Sequence, residues 1–171
     1  IREICQYDID GLFCDCFQLR ECFCPTCMAE MAKRGVNIDD NAAVLDYQNR
    51  VRHEFAKEIY DAAGEKKDKI KFYFNGMSWT CGRQTHAEIE CLSSDPYWGY
   101  SGVNPYEFVL NGARRNIEVS DKFGKDHNIW IQTYSNPRGR EEEIVEAAEA
   151  AYDAGARTII AWGYYGSDSN D

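Results

Sequence analysis

Apolar and polar positions along this chain follow two rhythms that take turns. Short runs that are apolar at every second residue, or at nearly every residue, predict strands at Gly11-Leu-Phe-Cys-Asp-Cys-Phe17, Lys69-Ile-Lys-Phe-Tyr-Phe-Asn75, Gln84-Thr-His-Ala-Glu-Ile-Glu-Cys-Leu92, Asn128-Ile-Trp-Ile-Gln-Thr-Tyr134 and Thr158-Ile-Ile-Ala-Trp162. Helical spacing fills the intervals. One helix runs from about Pro25 to Lys33 and stops at Gly35; the next is capped by Asp39 or Asp40 and carries Val44, Tyr47, Val51, Phe55 and Ile59 at three- and four-residue steps before ending near Gly64. Asn104-Pro105 opens a third helix that ends near Phe123 before Gly124. Glu141-Glu-Glu-Ile-Val begins a fourth, with acids in the first turn where the dipole favours them, and Gly155 ends it.

Five strands separated by helical segments form repeated βα units, whose strands run parallel with the helices packed outside. The expected class is α/β. The glycine-rich fingerprint of a dinucleotide-binding sheet is absent, while polar and aromatic residues gather after nearly every strand, as on the catalytic face of a barrel. The expected fold is therefore a parallel (β/α) barrel, present as about five βα units that form the C-terminal part of a TIM barrel. Residues 1–171 make a single domain in this reading.

Composition agrees with a globular domain: 44% of the 171 residues are hydrophobic and 13% aromatic, enough for a core. A formal net charge of −10 opposes attraction to phosphate backbones, so nucleic acid is not an expected partner. No stretch approaches the roughly 20 apolar residues of a membrane helix, and no membrane partner is expected. The chain starts at Ile1 without an initiator Met or a leader pattern, and reads as a piece of something longer. Eight unevenly spaced cysteines lean towards a reducing, cytoplasmic interior and leave secretion open.

The third expected strand carries the most chemistry. Side chains alternate faces along a strand, so His86, Glu88 and Glu90 share one side, and Ala87, Ile89 and Cys91 the other. Unpaired buried charge costs several kcal/mol even after relaxation, roughly. Two carboxylates and an imidazole on one buried face therefore suit an active site better than a core; a solvated edge strand with one polar face is the plainer alternative.

The segments Asp10-Gly-Leu-Phe-Cys-Asp15, Cys22-Phe-Cys-Pro-Thr-Cys27, Gln84-Thr-His-Ala-Glu-Ile-Glu90, Trp98-Gly-Tyr100 and Ala161-Trp-Gly-Tyr-Tyr-Gly166 together resemble a group of bacterial glycoside-hydrolase-like barrels, itself similar to the α-L-fucosidase and β-galactosidase families. The resemblance runs in order along essentially the whole chain, as strands four to eight of a barrel. It implies that carboxylates at strand ends cleave glycosidic bonds, and that the N-terminal half of the barrel, or a second copy of the chain, completes the structure. No cofactor is required for such chemistry.

Glycoside cleavage needs one carboxylate to attack or steady the anomeric carbon and another to protonate the departing oxygen. Asp15, at the end of the first strand on the face of Gly11 and Phe13, resembles the nucleophile that retaining barrels place after their fourth strand; capping of the following loop is its plainer role. Glu88 and Glu90 are the acid/base candidates, with Glu90 favoured as the nearer to the strand's C-terminal end. Glu88 would then bind substrate hydroxyls or orient His86. Sugars present flat C–H faces beside hydroxyls. Trp79, Trp98, Tyr100, Trp162 and Tyr164 are thus expected platforms, with His86, Asn75 and Gln132 as polar partners, although large aromatics also plug barrel mouths.

Cys22, Cys24 and Cys27, with Cys14 and Cys16 upstream, are dense enough to hold a structural zinc through thiolates, or to form disulfides in an oxidising compartment. Two other functions stay open. His86, Glu88 and Glu90 as ligands of a divalent ion would make a metal-dependent hydrolase or isomerase, and loss of chemistry would leave a carbohydrate-binding barrel.

Overall fold

A computed structural model describes residues 1–17, 21–76, 89–99 and 102–163. Chain order is β1 (Gly11–Cys14), α1 (Pro25–Lys33), α2 (Asn41–Ala62), β2 (Lys71–Asn75), β3 (Cys91–Ser94), α3 (Pro105–Lys122), β4 (Asp126–Gln132), α4 (Glu142–Asp153) and β5 (Ile159–Trp162), with short 3-10 turns at Ile4–Gln6 and Gly64–Lys66. The five strands pair in parallel in the order β1-β2-β3-β4-β5 and curl into a half-barrel alternating with helices. The expected α/β barrel architecture is present in that form.

Helices α2 and α3 begin where a side chain satisfies their first N–H groups. Asp40 Oδ1 accepts from the Ala42 and Ala43 amides at 2.9 and 3.4 Å, which makes Asp40 the cap of α2. Asn104 Oδ1 accepts from the Glu107 amide at 2.9 Å, with Pro105 in the first turn of α3. Pro25 plays the same part in α1, after Cys24.

Strand alternation sorts the sheet into two faces. The outer face carries Leu12, Phe72, Phe74 and Leu92, buried against Ala56 and Ile59 of α2. Further along it, Ile129 and Ile131 pack on Val109 and Ala113 of α3 and on Ala147, Ala150 and Ala151 of α4. Alanine at those three positions lets α4 lie close to its neighbours. On edge strand β5 the outward Ile159 and Ala161 stay exposed.

The inner face is registered from strand to strand: Phe13 opposite Tyr73, Tyr73 opposite Cys91, Ser93 opposite Asn128, and Trp130 opposite Ile160. The Phe13 and Trp130 rings meet at 4.8 Å between centroids, although β2 and β3 separate their strands. In a flat sheet three strand spacings would hold them roughly 14 Å apart. Only a curled sheet closes that gap. Trp162 joins the group, 5.6 Å from Trp130.

The third strand departs from expectation. It begins at Cys91, where the predicted Gln84–Leu92 strand was about to end, and runs through Leu92, Ser93 and Ser94, all buried. Its sequence is half serine, a poor strand former, so tertiary burial decides its conformation.

Truncating Phe72, 1% exposed on the outer face, should cost about 3–5 kcal/mol as Phe72→Ala, and the half-exposed inner-face Phe13→Ala distinctly less, by urea unfolding. Equal losses would contradict the assignment of faces.

Candidate active site

Parallel pairing brings the C-terminal ends of all five strands to one edge, and the chain's polar inner-face residues collect there. Asp15 follows β1, Asn75 closes β2, Asp95 follows β3, Gln132 closes β4 and Trp162 closes β5. Asn75 is buried and its amide donates through Nδ2 to Asp15 Oδ1 at 2.9 Å. The Cys16 amide donates to the same Oδ1 at 2.7 Å, from a residue held at φ +56, a left-handed conformation uncommon outside glycine. Both bonds fall on one carboxylate oxygen. Oδ2 carries neither.

Asp95 faces the same group from β3. It is half-buried, and desolvation pushes its pKa up; the neighbouring Asn75 amide pulls in the opposite direction, and the charge on Asp15 raises it further. Two carboxyl groups thus lie near one buried amide in different environments: Asp15 is exposed and anchored through one oxygen, and Asp95 is desolvated and inclined to keep its proton. Around them the inner face holds Ser93, Asn128 and the indole N–H of Trp130, buried polar groups without a side-chain partner for Ser93 Oγ, Asn128 Oδ1 or Trp130 Nε1 among the described residues.

Several expected site residues stand elsewhere. Glu90 precedes β3 and is exposed, with its backbone joining Phe72 and Asp126 in the ladder at the N-terminal edge of the sheet. It lies at the opposite end of the strand from Asp95, because the strand extends beyond the alternating segment that suggested it, and it cannot serve as the acid/base partner of Asp15 in this geometry. Trp98 is only 1% exposed; it packs on Val109 and Ile129, and its indole N–H donates to Glu143 Oε2 at 2.9 Å. It is a core pin rather than a sugar platform. Trp79, His86, Glu88, Tyr100 and Tyr164 lie outside the described residues.

Gln132 is at the expected edge, buried and engaged at both ends. Its Oε1 accepts from the Gly99 amide at 3.1 Å and its Nε2 donates to the Tyr134 carbonyl at 3.0 Å. A Cβ on Gly99 would meet Nε2 at 2.5 Å, so a larger residue there would push the Gln132 amide aside. Gln132 therefore ties the loop after β3 to the loop after β4. Trp162 remains 43% exposed and keeps a ring face available at the rim.

Asp95 was not among the residues expected from the sequence. The signal that points to it is parity: counted from Cys91 in the true strand, positions 91, 93 and 95 share the inner face.

A separate cluster sits where the β1–α1 connection enters α1. The Sγ atoms of Cys22, Cys24 and Cys27 all lie within 4.8 Å of one another, and the group can hold a metal ion such as zinc. The Cys27 backbone N–H, then the neighbouring thiols, lower the Cys24 thiol to about 7, while Cys27 is pushed up to about 12 by hydrogen bonds to Cys22 and Cys24. All seven cysteines among the described residues are free thiols. No helix among those residues is long and apolar enough to cross a membrane.

Compared with known proteins, the chain matches no protein-family model, no curated protein and no solved structure. Fold and site together define a parallel α/β half-barrel with a carboxyl pair at the C-terminal edge of its sheet.

Asp95 supplies a stability test. Because burial raises its folded-state pKa above the ordinary value of about 3.9, its contribution is intact below that pH and is lost as pH rises through the folded value. Asp95→Asn should therefore melt above the wild type at pH 7, and the difference should shrink towards pH 4. A wild type that melts higher at pH 7 would mean that its carboxylate is net stabilised by the fold.

Proposed function

We propose that this protein is a glycoside hydrolase in which Asp15 is the nucleophile and Asp95 the acid/base. The observation that carries the reading is the pair at the C-terminal edge of the sheet: Asp15, hydrogen-bonded to the buried Asn75, and the desolvated Asp95, which feels the Asp15 charge. The separation of the two carboxyl groups sets the stereochemical outcome, roughly 5–5.5 Å in retaining enzymes and roughly 6.5–9.5 Å in inverting ones.

The division of labour follows from the two environments. Asp15 spends Oδ1 on Asn75 and on the Cys16 amide, which fixes the carboxylate plane and leaves Oδ2 to approach the anomeric carbon. Asp95, desolvated and near a second negative charge, holds a proton at a pH where an ordinary aspartate has lost it, and can deliver it to the leaving oxygen. Water then attacks the glycosyl ester as Asp95 takes a proton back. Trp162, in a T-shaped contact with Trp130 and partly exposed, offers a face for the C–H side of a sugar ring. The cysteine cluster takes no part in this chemistry and serves the structure of the loop. Among the described residues β1 and β5 are the edge strands, which suits a further β/α segment or a second copy as the partner that completes the wall.

Hydrolysis of a panel of aryl α- and β-glycosides tests the proposal. Asp15→Asn and Asp95→Asn should each lose about 10²–10⁴-fold in turnover, with Glu90→Gln near wild type. Turnover on no glycoside, or full loss in Glu90→Gln, would contradict it.

A further inference from the structure

We propose that Cys22, Cys24 and Cys27 bind one Zn²⁺ as thiolates and that the ion fastens the loop leaving β1 to the first turn of α1. This site is independent of the glycosidase reading.

Three features carry it. The first is distance. Tetrahedral zinc holds each sulfur at roughly 2.3 Å, which places bound sulfurs about 3.8 Å apart. The three Sγ atoms already lie within 4.8 Å of one another, so about an ångström of side-chain contraction completes the set. The second is backbone placement. Cys24 precedes α1 as its cap residue, Pro25 fixes the first helical position, and Cys27 lies one turn in, so two of the three sulfurs are set by regular structure and not by a loose loop. Cys22 reaches the same point from the chain before the helix. The third is access: Cys22 and Cys24 are exposed and Cys27 half-buried, which gives an ion an entry path.

The chemistry favours a thiophilic dication over the alternatives. Sulfur-only donors suit zinc rather than calcium or magnesium, which take oxygen. Coordination forms three Zn–S bonds, and the protons of those sulfurs that are still thiols pass to buffer. No oxidant is needed, unlike a disulfide. Three thiolates leave the fourth tetrahedral position to water or another donor. The ion in this way braces the entry to α1, from Cys22 to Cys27.

The test is metal content. The chain is reduced, loaded with Zn²⁺, desalted and assayed; Co²⁺ loading then reports the ligand set through thiolate-to-cobalt charge transfer and the visible bands of tetrahedral cobalt. The expected result is about one equivalent retained per chain. Cys24→Ser and Cys27→Ser should lose it, Cys5→Ser, outside the cluster, should keep it, and alkylation of Cys24 in the wild type should slow with zinc and recover with chelator. The alkylation arm needs no variant to fold. Absence of retained metal, equal retention in Cys24→Ser, zinc-insensitive alkylation, or a disulfide within the trio under reducing preparation would each overturn the proposal.

Discussion

Parallel pairing in chain order is the constraint on which everything else in this molecule depends. Each strand enters the sheet from the same side, so every strand end that follows an inner-face position delivers its side chain to one edge. Asp15, Asn75, Asp95, Gln132 and Trp162 are far apart in sequence and meet for that reason alone. Curling of the sheet, visible in the contact between Phe13 and Trp130, turns that edge from a line into a concave rim. The buried Asn75 amide then joins two of the strand ends chemically.

Most of the architecture was legible in the sequence because local signals agreed with the global fold. Four helices begin and end close to their caps and glycines, and β1, β2, β4 and β5 fall within or beside their apolar runs. The third strand was misread because Gln84–Leu92 has the stronger alternation, whereas Cys91–Ser94 is held as strand by burial between β2 and β4 and by nothing in its own composition. That shift moves the chemistry. It sends Glu90 to the N-terminal edge and brings Asp95 to the C-terminal one. Trp98 was misassigned for a related reason: an aromatic in a loop looks like a platform until its N–H is found pinned to Glu143. Asp15 and Asn75 were legible because both follow directly from strand parity.

The residues at this rim carry a stability cost. A desolvated carboxyl at Asp95, a buried amide at Asn75 and a left-handed Cys16 are each unfavourable alone, and together they occupy the few residues that close β1 to β3. The two apolar clusters on the outer face, one under α2 and one under α3 and α4, supply the packing that tolerates them. Lys71 and Asp126 pair at 3.3 Å on the far edge, exposed to solvent, where an ion pair adds little to folding.

The central claim is that Asp15 and Asp95 form one electrostatically coupled pair across Asn75. Carbon-13 NMR titration of the aspartate carboxyls, in the wild type and in Asp15→Asn, measures this directly. Coupling requires that Asp95 titrate above the ordinary aspartate range and move back towards it when the neighbouring charge is removed. An Asp95 that titrates at the ordinary value, indifferent to Asp15→Asn, would contradict the account.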